Sequence, residues 1–288
     1  MNARSAMLDA YSIEATIKDA AAIGALPAGM RRPAQVFVPY LHTESDEARI
    51  AACVAIRQAG LEPVPHLSAR RLVGEAELDH LLGELRKQAD VTSLFVVAGD
   101  LAAPVGPYID SLSVIRSGLI EKHGFKSVGI AGHPDGHPDV SEDVLWDAML
   151  AKIAEIEARG LGTQIVTQFS FDAQAVLRWL GEVRSRGVQV PVRIGIPGPT
   201  SVRTLLRYAT RCGVAASAGV VAKYGLSLSK LLGNAGPDKF LDQLSVGLDP
   251  AATGVVHLHL FPFGGFAKVA DWMEQFCRSS PPDQSCAA

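Results

Sequence analysis

Residues 127–186 read SVGIAGHPDGHPDVSEDVLWDAMLAKIAEIEARGLGTQIVTQFSFDAQAVLRWLGEVRSR. A short apolar run, Ser127–His133, ends in a Pro- and Gly-rich loop. A helical stretch, Glu142–Arg159, follows, then a second apolar run, Thr163–Phe171, and a second helix, Ala173–Arg186. Strand alternating with helix implies parallel pairing, because the chain must cross back before the next strand can begin. The same unit recurs on both sides. Strands are predicted at Tyr11–Ala15, Ala34–Tyr40, Leu61–Leu67, Ser93–Gly99, Pro191–Gly198 and Val255–Phe261, with further helices at Glu47–Ala59 and Glu75–Gln88. Eight strands predict a closed (β/α)8 TIM barrel, since closure leaves no unpaired edge. The segment between strands seven and eight is long enough for extra helices, expected at Thr200–Cys212, Ser227–Leu232 and Pro237–Leu244.

Composition narrows the class of function. The 288 residues are 48% hydrophobic with a formal net charge of −3, enough for one large core and without the excess of basic residues that nucleic acid demands. No apolar run is long enough to span a membrane, and Met1–Ala10 lacks a secretory pattern. Cys53, Cys212, Cys277 and Cys286 are too widely spaced for a zinc ribbon, so a reduced cytoplasmic setting is expected. One barrel is expected over residues 1–277, followed by a flexible tail at 278–288.

In such a barrel the residues just past each strand build the active site. Glu14 ends strand one, where a carboxylate is either an exposed charge or an acid in a low-dielectric pocket, with its pKa raised as a general acid requires. Gly99-Asp100 ends strand four, where glycine permits close backbone approach; a helix cap is the competing reading for the aspartate. The loop His133-Pro134-Asp135-Gly136-His137-Pro138-Asp139 is stiffened by prolines, which exclude the regular helix that a His-x-x-x-His metal pair would use, so no metal site is expected. Gln168 can both donate to and accept from a heterocycle, and Phe169 and Phe171 either cover a flat ligand or belong to the core. Tyr40, His42 and His66 follow strands two and three. His257 and His259 share a face of strand eight and read equally as satisfied core histidines. There is no Gly-x-Gly-x-x-Gly fingerprint, Walker loop or nucleophile elbow.

Together, Ser12-Ile13-Glu14, Pro65-His66-Leu67, Gly99-Asp100, His133-Pro134-Asp135-Gly136-His137-Pro138, Thr167-Gln168-Phe169-Ser170-Phe171-Asp172 and Ile196-Pro197-Gly198 resemble the methylenetetrahydrofolate reductase family of the bacterial single-domain type. The resemblance implies an oxidoreductase that uses FAD and NAD(P)H to interconvert 5,10-methylenetetrahydrofolate and 5-methyltetrahydrofolate. It implies Glu14 as the general acid toward folate N10, Asp100 as a catalytic aspartate near flavin and pterin, and Gln168, with Phe169 and Phe171, as folate contacts. Tyr40, His66, Gly99, Asp100, Tyr108, Asp110, His133 and His137 are the implied flavin contacts, and a homo-oligomer the implied assembly. Two departures stand out. Ala98 and Glu157 occupy positions where cationic contacts to the flavin phosphates are usual. Beside the flavoprotein stand a flavin-independent paralogue and a non-catalytic folate-binding barrel.

Overall fold

A computed structural model describes residues 7–26, 32–211, 234–235 and 237–279. Eight parallel strands close a barrel in the order β1-β10-β7-β6-β5-β4-β3-β2. They are β1 Ser12–Glu14, β2 Gln35–Val38, β3 Glu62–Ser68, β4 Ser93–Val97, β5 Ser127–Gly132, β6 Gly162–Thr167, β7 Val192–Pro197 and β10 Val256–Phe261. Two short strands, β8 Thr200–Ser201 and β9 Asn234–Ala235, form an antiparallel ribbon in the long crossover. That crossover also carries helices at Val202–Arg211, Asp238–Gly247 and Pro250–Thr253, bearing out the expected insertion, while Ser227–Leu232 lies outside the described residues. The final helix, Phe266–Ser279, takes in Arg278 and Ser279, the first two residues of the expected tail; residues 280–288 are not described.

The helices form where apolar spacing and caps agree. In Glu75–Ala89, Leu78, Leu81, Leu82 and Leu85 recur at helical spacing and are buried against the barrel. Asp172 starts Ala173–Ser185 by accepting from Gln174 N and Ala175 N at 3.0 and 3.3 Å, a cap worth about 1 kcal/mol. Outward-facing strand residues such as Ile13, Val36, Leu94 and Ile165 meet these helices in the main core.

The inside of the barrel is layered. At the floor, Arg193 donates from Nε to Gln164 Oε1 at 2.7 Å and from Nη1 to the Ala10 carbonyl at 2.7 Å, while Gln164 Nε2 reaches Gln35 Oε1 at 3.1 Å. Desolvation lowers the pKa of this buried guanidinium to about 10. Above it, Phe37, Val64, Phe95 and Val166 fill the waist. Glycines make the room. A Cβ on Gly195 would stand 2.4 Å from the Thr167 carbonyl and 2.7 Å from the Phe261 ring. The polar residues at the mouth therefore rest on a dry, filled barrel.

Candidate functional site

Parallel pairing of β1 with β10 puts Ser12 beside His259, and alternation brings Glu14 to the same inner face one step nearer the mouth. Ser12 Oγ lies 2.9 Å from His259 Nδ1 and 3.3 Å from the Leu258 carbonyl. With the hydroxyl proton given to that carbonyl, Nδ1–H donates to Oγ, and the bare Nε2 is turned toward Glu14, 3.9 Å from Oε1. From β3, His66 Nε2 approaches the same oxygen at 3.8 Å. Glu14 thus sits between two imidazoles.

Those imidazoles are neutral. Burial pushes His66 down to about 4, ionised Glu14 pulling it back up and His259 and Arg49 pushing it further down. His259 falls to about 3 through burial, aided by the Arg193 charge. Aromatic edges complete the dry wall: His66 meets Phe37 and Phe95 at 5.9 and 4.7 Å between centroids, and His259 meets Phe37 and Phe261 at 4.7 and 4.8 Å. In this setting desolvation raises the Glu14 pKa, with only partial relief from His66.

A cavity of about 220 Å3 opens beside His66, lined also by Tyr40, His42, Ser68, Arg71, Gly99 and Asp100. Asp100 caps no helix. Its Oδ1 accepts from Arg71 Nη2 at 2.8 Å and Nε at 3.0 Å, and its side chain is 68% exposed. Partial burial raises its pKa, but the Arg71 bonds outweigh this and leave it below the usual carboxylate range. Tyr40 lies between the Arg49 and Arg71 guanidiniums, at 4.6 and 5.3 Å from its ring centroid. Arg49 also donates to the His66 carbonyl at 3.1 Å and pairs with Asp46, so a buried cation anchors the end of β3.

The remaining expected contacts are dispersed. Tyr108 is buried in the main core. Asp110 caps Ser111–Ile115, accepting from Ser113 N at 2.8 Å. His133 and His137 pack edge to face at 5.6 Å in the Pro-rich loop, and burial lowers His133 to about 4. That loop turns through a Gly136 N to His133 carbonyl bond, and no metal-holding cluster occurs among the described residues. His133 also lines a larger groove, about 420 Å3, between Glu142–Ala158 and Ala173–Ser185 with Trp146, Arg178 and Trp179; Glu14 and Asp100 take no part in it. Gln168 is half-buried, its Oε1 accepting from Phe169 N at 3.1 Å. Phe169 and Phe171 are 1% and 5% exposed and pack with Phe261, Phe263, Val202 and Leu205, which is the core reading of these rings rather than the ligand-covering one. Sequence reasoning missed Ser12, His259 and Arg71 as parts of the site.

Residues 32–225 match the family profile described as Methylenetetrahydrofolate reductase. The chain belongs to that family. A relative is Methylenetetrahydrofolate reductase 2 of Saccharomyces cerevisiae, 34% identical over 84 residues, which are 29% of this chain and 14% of the yeast protein. The chain therefore matches a small part of that longer methylenetetrahydrofolate reductase. Among solved structures, an uncharacterised Clostridium thermocellum protein that binds two copies of 5-methyl-5,6,7,8-tetrahydrofolic acid superposes with a TM-score of 0.63 at 8% identity, over 96% of this chain and 98% of that one. At that identity the likeness carries the barrel fold.

Proposed function

We propose that this member of the methylenetetrahydrofolate reductase family interconverts 5,10-methylenetetrahydrofolate and 5-methyltetrahydrofolate, with a nicotinamide as hydride partner and Glu14 as proton donor. The observation that carries the reading is Glu14 itself, a carboxyl at the barrel mouth with two neutral imidazoles near one oxygen and a pKa raised by burial. Such a group holds its proton at a pH where an exposed carboxylate has lost it. In the reductive direction Glu14 gives that proton to N10 as the N10–methylene bond breaks. The resulting N5 iminium carbon then accepts hydride from the dihydronicotinamide, leaving an N5 methyl group. Asp100 lies at the same rim, and we assign Gln168 to the polar edge of the pterin.

The family resemblance also implies FAD, and three observations speak against a resident flavin here. The space a side chain at Gly99 would take is occupied by Ser68 Oγ, 2.1 Å from the ideal Cβ position, so the glycine opens no cradle. Tyr108 and Asp110 are committed to the core and to a helix cap. Arg71, the guanidinium lining the 220 Å3 cavity, is already paired with Asp100. A tightly held dinucleotide needs its pyrophosphate countered, whereas a co-substrate that comes and goes needs only its nicotinamide ring presented to the folate. No step is therefore assigned to FAD.

The test is the purified protein. It should be colourless in the flavin region and convert 5,10-methylenetetrahydrofolate at the expense of NADH or NADPH. A yellow protein that loses activity when its flavin is stripped would restore the flavoprotein reading. Folate binding without turnover would make it a non-catalytic barrel.

A further inference from the structure

The two histidines beside Glu14 differ in what lies behind them. His259 is 1% exposed and tied to Ser12, so it offers no path to solvent. His66 lines the 220 Å3 cavity, while its Nε2 is buried without a hydrogen-bond partner, 3.8 Å from Glu14 Oε1. Glu14 does not line that cavity, and its side chain is only 16% exposed. The His66 ring therefore stands between the cavity and the Glu14 carboxyl.

Resting on the reading of Glu14 as the acid, we infer that His66 is its proton relay, returning from the cavity the proton that Glu14 gives to N10 in each turnover. In the step, the Glu14 carboxylate takes the Nε2 proton while the other ring nitrogen takes one from cavity water, ultimately from bulk solvent. The electron pair of the broken N–H bond stays on nitrogen, and no oxidation occurs. A half-turn of the ring about its Cβ–Cγ bond then carries the newly protonated nitrogen round to Glu14 for the next turnover. The groups facing the ring fit this duty. Phe37 and Phe95 hold it edge-on, Arg49 fixes its carbonyl, and His259 and Arg49 disfavour a standing imidazolium. Ionised Glu14 raises its proton affinity at the moment a proton is needed. Across the cavity stand Tyr40, His42, Arg71 and Asp100.

His66→Ala and Glu14→Gln are compared with wild type in two regimes, single turnover with enzyme in excess and steady state. Relay predicts that His66→Ala lowers steady-state turnover about 10²-fold, lowers the single-turnover rate several-fold less, and regains at least about tenfold of steady-state activity with added imidazole. Equal losses in both regimes with no response to imidazole overturn the relay, as does undiminished steady-state turnover. If the alanine variant misfolds, His66→Gln and the wild-type solvent isotope effect decide. The effect should be larger in steady state than in single turnover, and equal effects contradict the relay. Wild-type activity in Glu14→Gln would sink the acid reading itself, together with the relay, whereas an inactive Glu14→Gln beside a fully active His66→Ala sinks the relay alone.

Discussion

Two carboxylates stand at strand ends on one rim, and their surroundings drive them apart. At the end of β1, Glu14 is enclosed by His66, His259 and aromatic edges, and burial raises its pKa. Three residues past β4, Asp100 is largely exposed and doubly bonded to Arg71, which holds it ionised. The same functional group thus becomes a proton donor in one place and a fixed charge in the other. What separates them is the wall: a hydrocarbon and neutral-imidazole wall penalises charge, and a guanidinium rewards it.

The widest contrast comes from replacing each acid by its amide. Glu14→Gln removes the transferable proton and should cost about 10²- to 10⁴-fold in folate turnover. Asp100→Asn leaves the Glu14 proton in place and should cost at least tenfold less; steady-state rates of the two variants against wild type check this. Comparable losses at both positions would erase the distinction. As pH rises through the raised Glu14 pKa, reductive turnover should fall, because the acid then lacks its proton.

The wall itself can be titrated. His259 is neutral in the fold with a pKa near 3, against about 6.5 in the unfolded chain. Below pH 6.5 the unfolded state binds the extra proton, so stability is lost as pH falls toward the folded value. His259→Phe removes this titration. Between pH 6.5 and 5 the stability of wild type relative to the variant should drop by about 2 kcal/mol, read from denaturant unfolding. Glu14 acts in the opposite sense in both proteins. A pH-independent difference would mean that His259 is not held neutral.

The smallest effect belongs to the exposed pair. Arg71→Ala should change global stability by no more than about 1 kcal/mol, as for other solvent-exposed ion pairs, while moving the Asp100 pKa upward. A larger loss in unfolding free energy would show that Arg71 organises the β3 and β4 loops.

The barrel was legible because alternation and helical spacing are local, and the observed strands lie within the predicted runs or overrun them by one residue. The site was legible only in part. Ser12 and His259 are 247 residues apart, and their contact exists only because β1 closes against β10; strand pattern alone left His259 a core histidine. Arg71 follows Arg70 in a short turn after Ser68, where two adjacent cations resemble any solvated pair. Phe169 and Phe171 lie beyond the strand that was expected to hold them, because β6 ends at Thr167, before the expected Phe171. Beyond it, the bonds from Gln168 N to the Gly132 carbonyl and Ser170 N to the Gly195 carbonyl carry the chain on, and the rings enter the cluster against Val202–Arg211. Asp110, by contrast, carried a local clue, since an aspartate three residues before Ser113 is a helix-start pattern.

Burial favours the proton on Glu14, whereas the bonds from Arg71 favour the charge on Asp100. A carboxyl-selective 13C NMR titration of glutamate-labelled protein, with Glu14→Gln identifying the resonance, measures the first of these directly. The Glu14 midpoint should lie above 4.5, the ordinary glutamate value, and move lower when Phe37→Ala opens the wall to water. A midpoint at or below 4.5 in the intact protein would contradict this effect of burial.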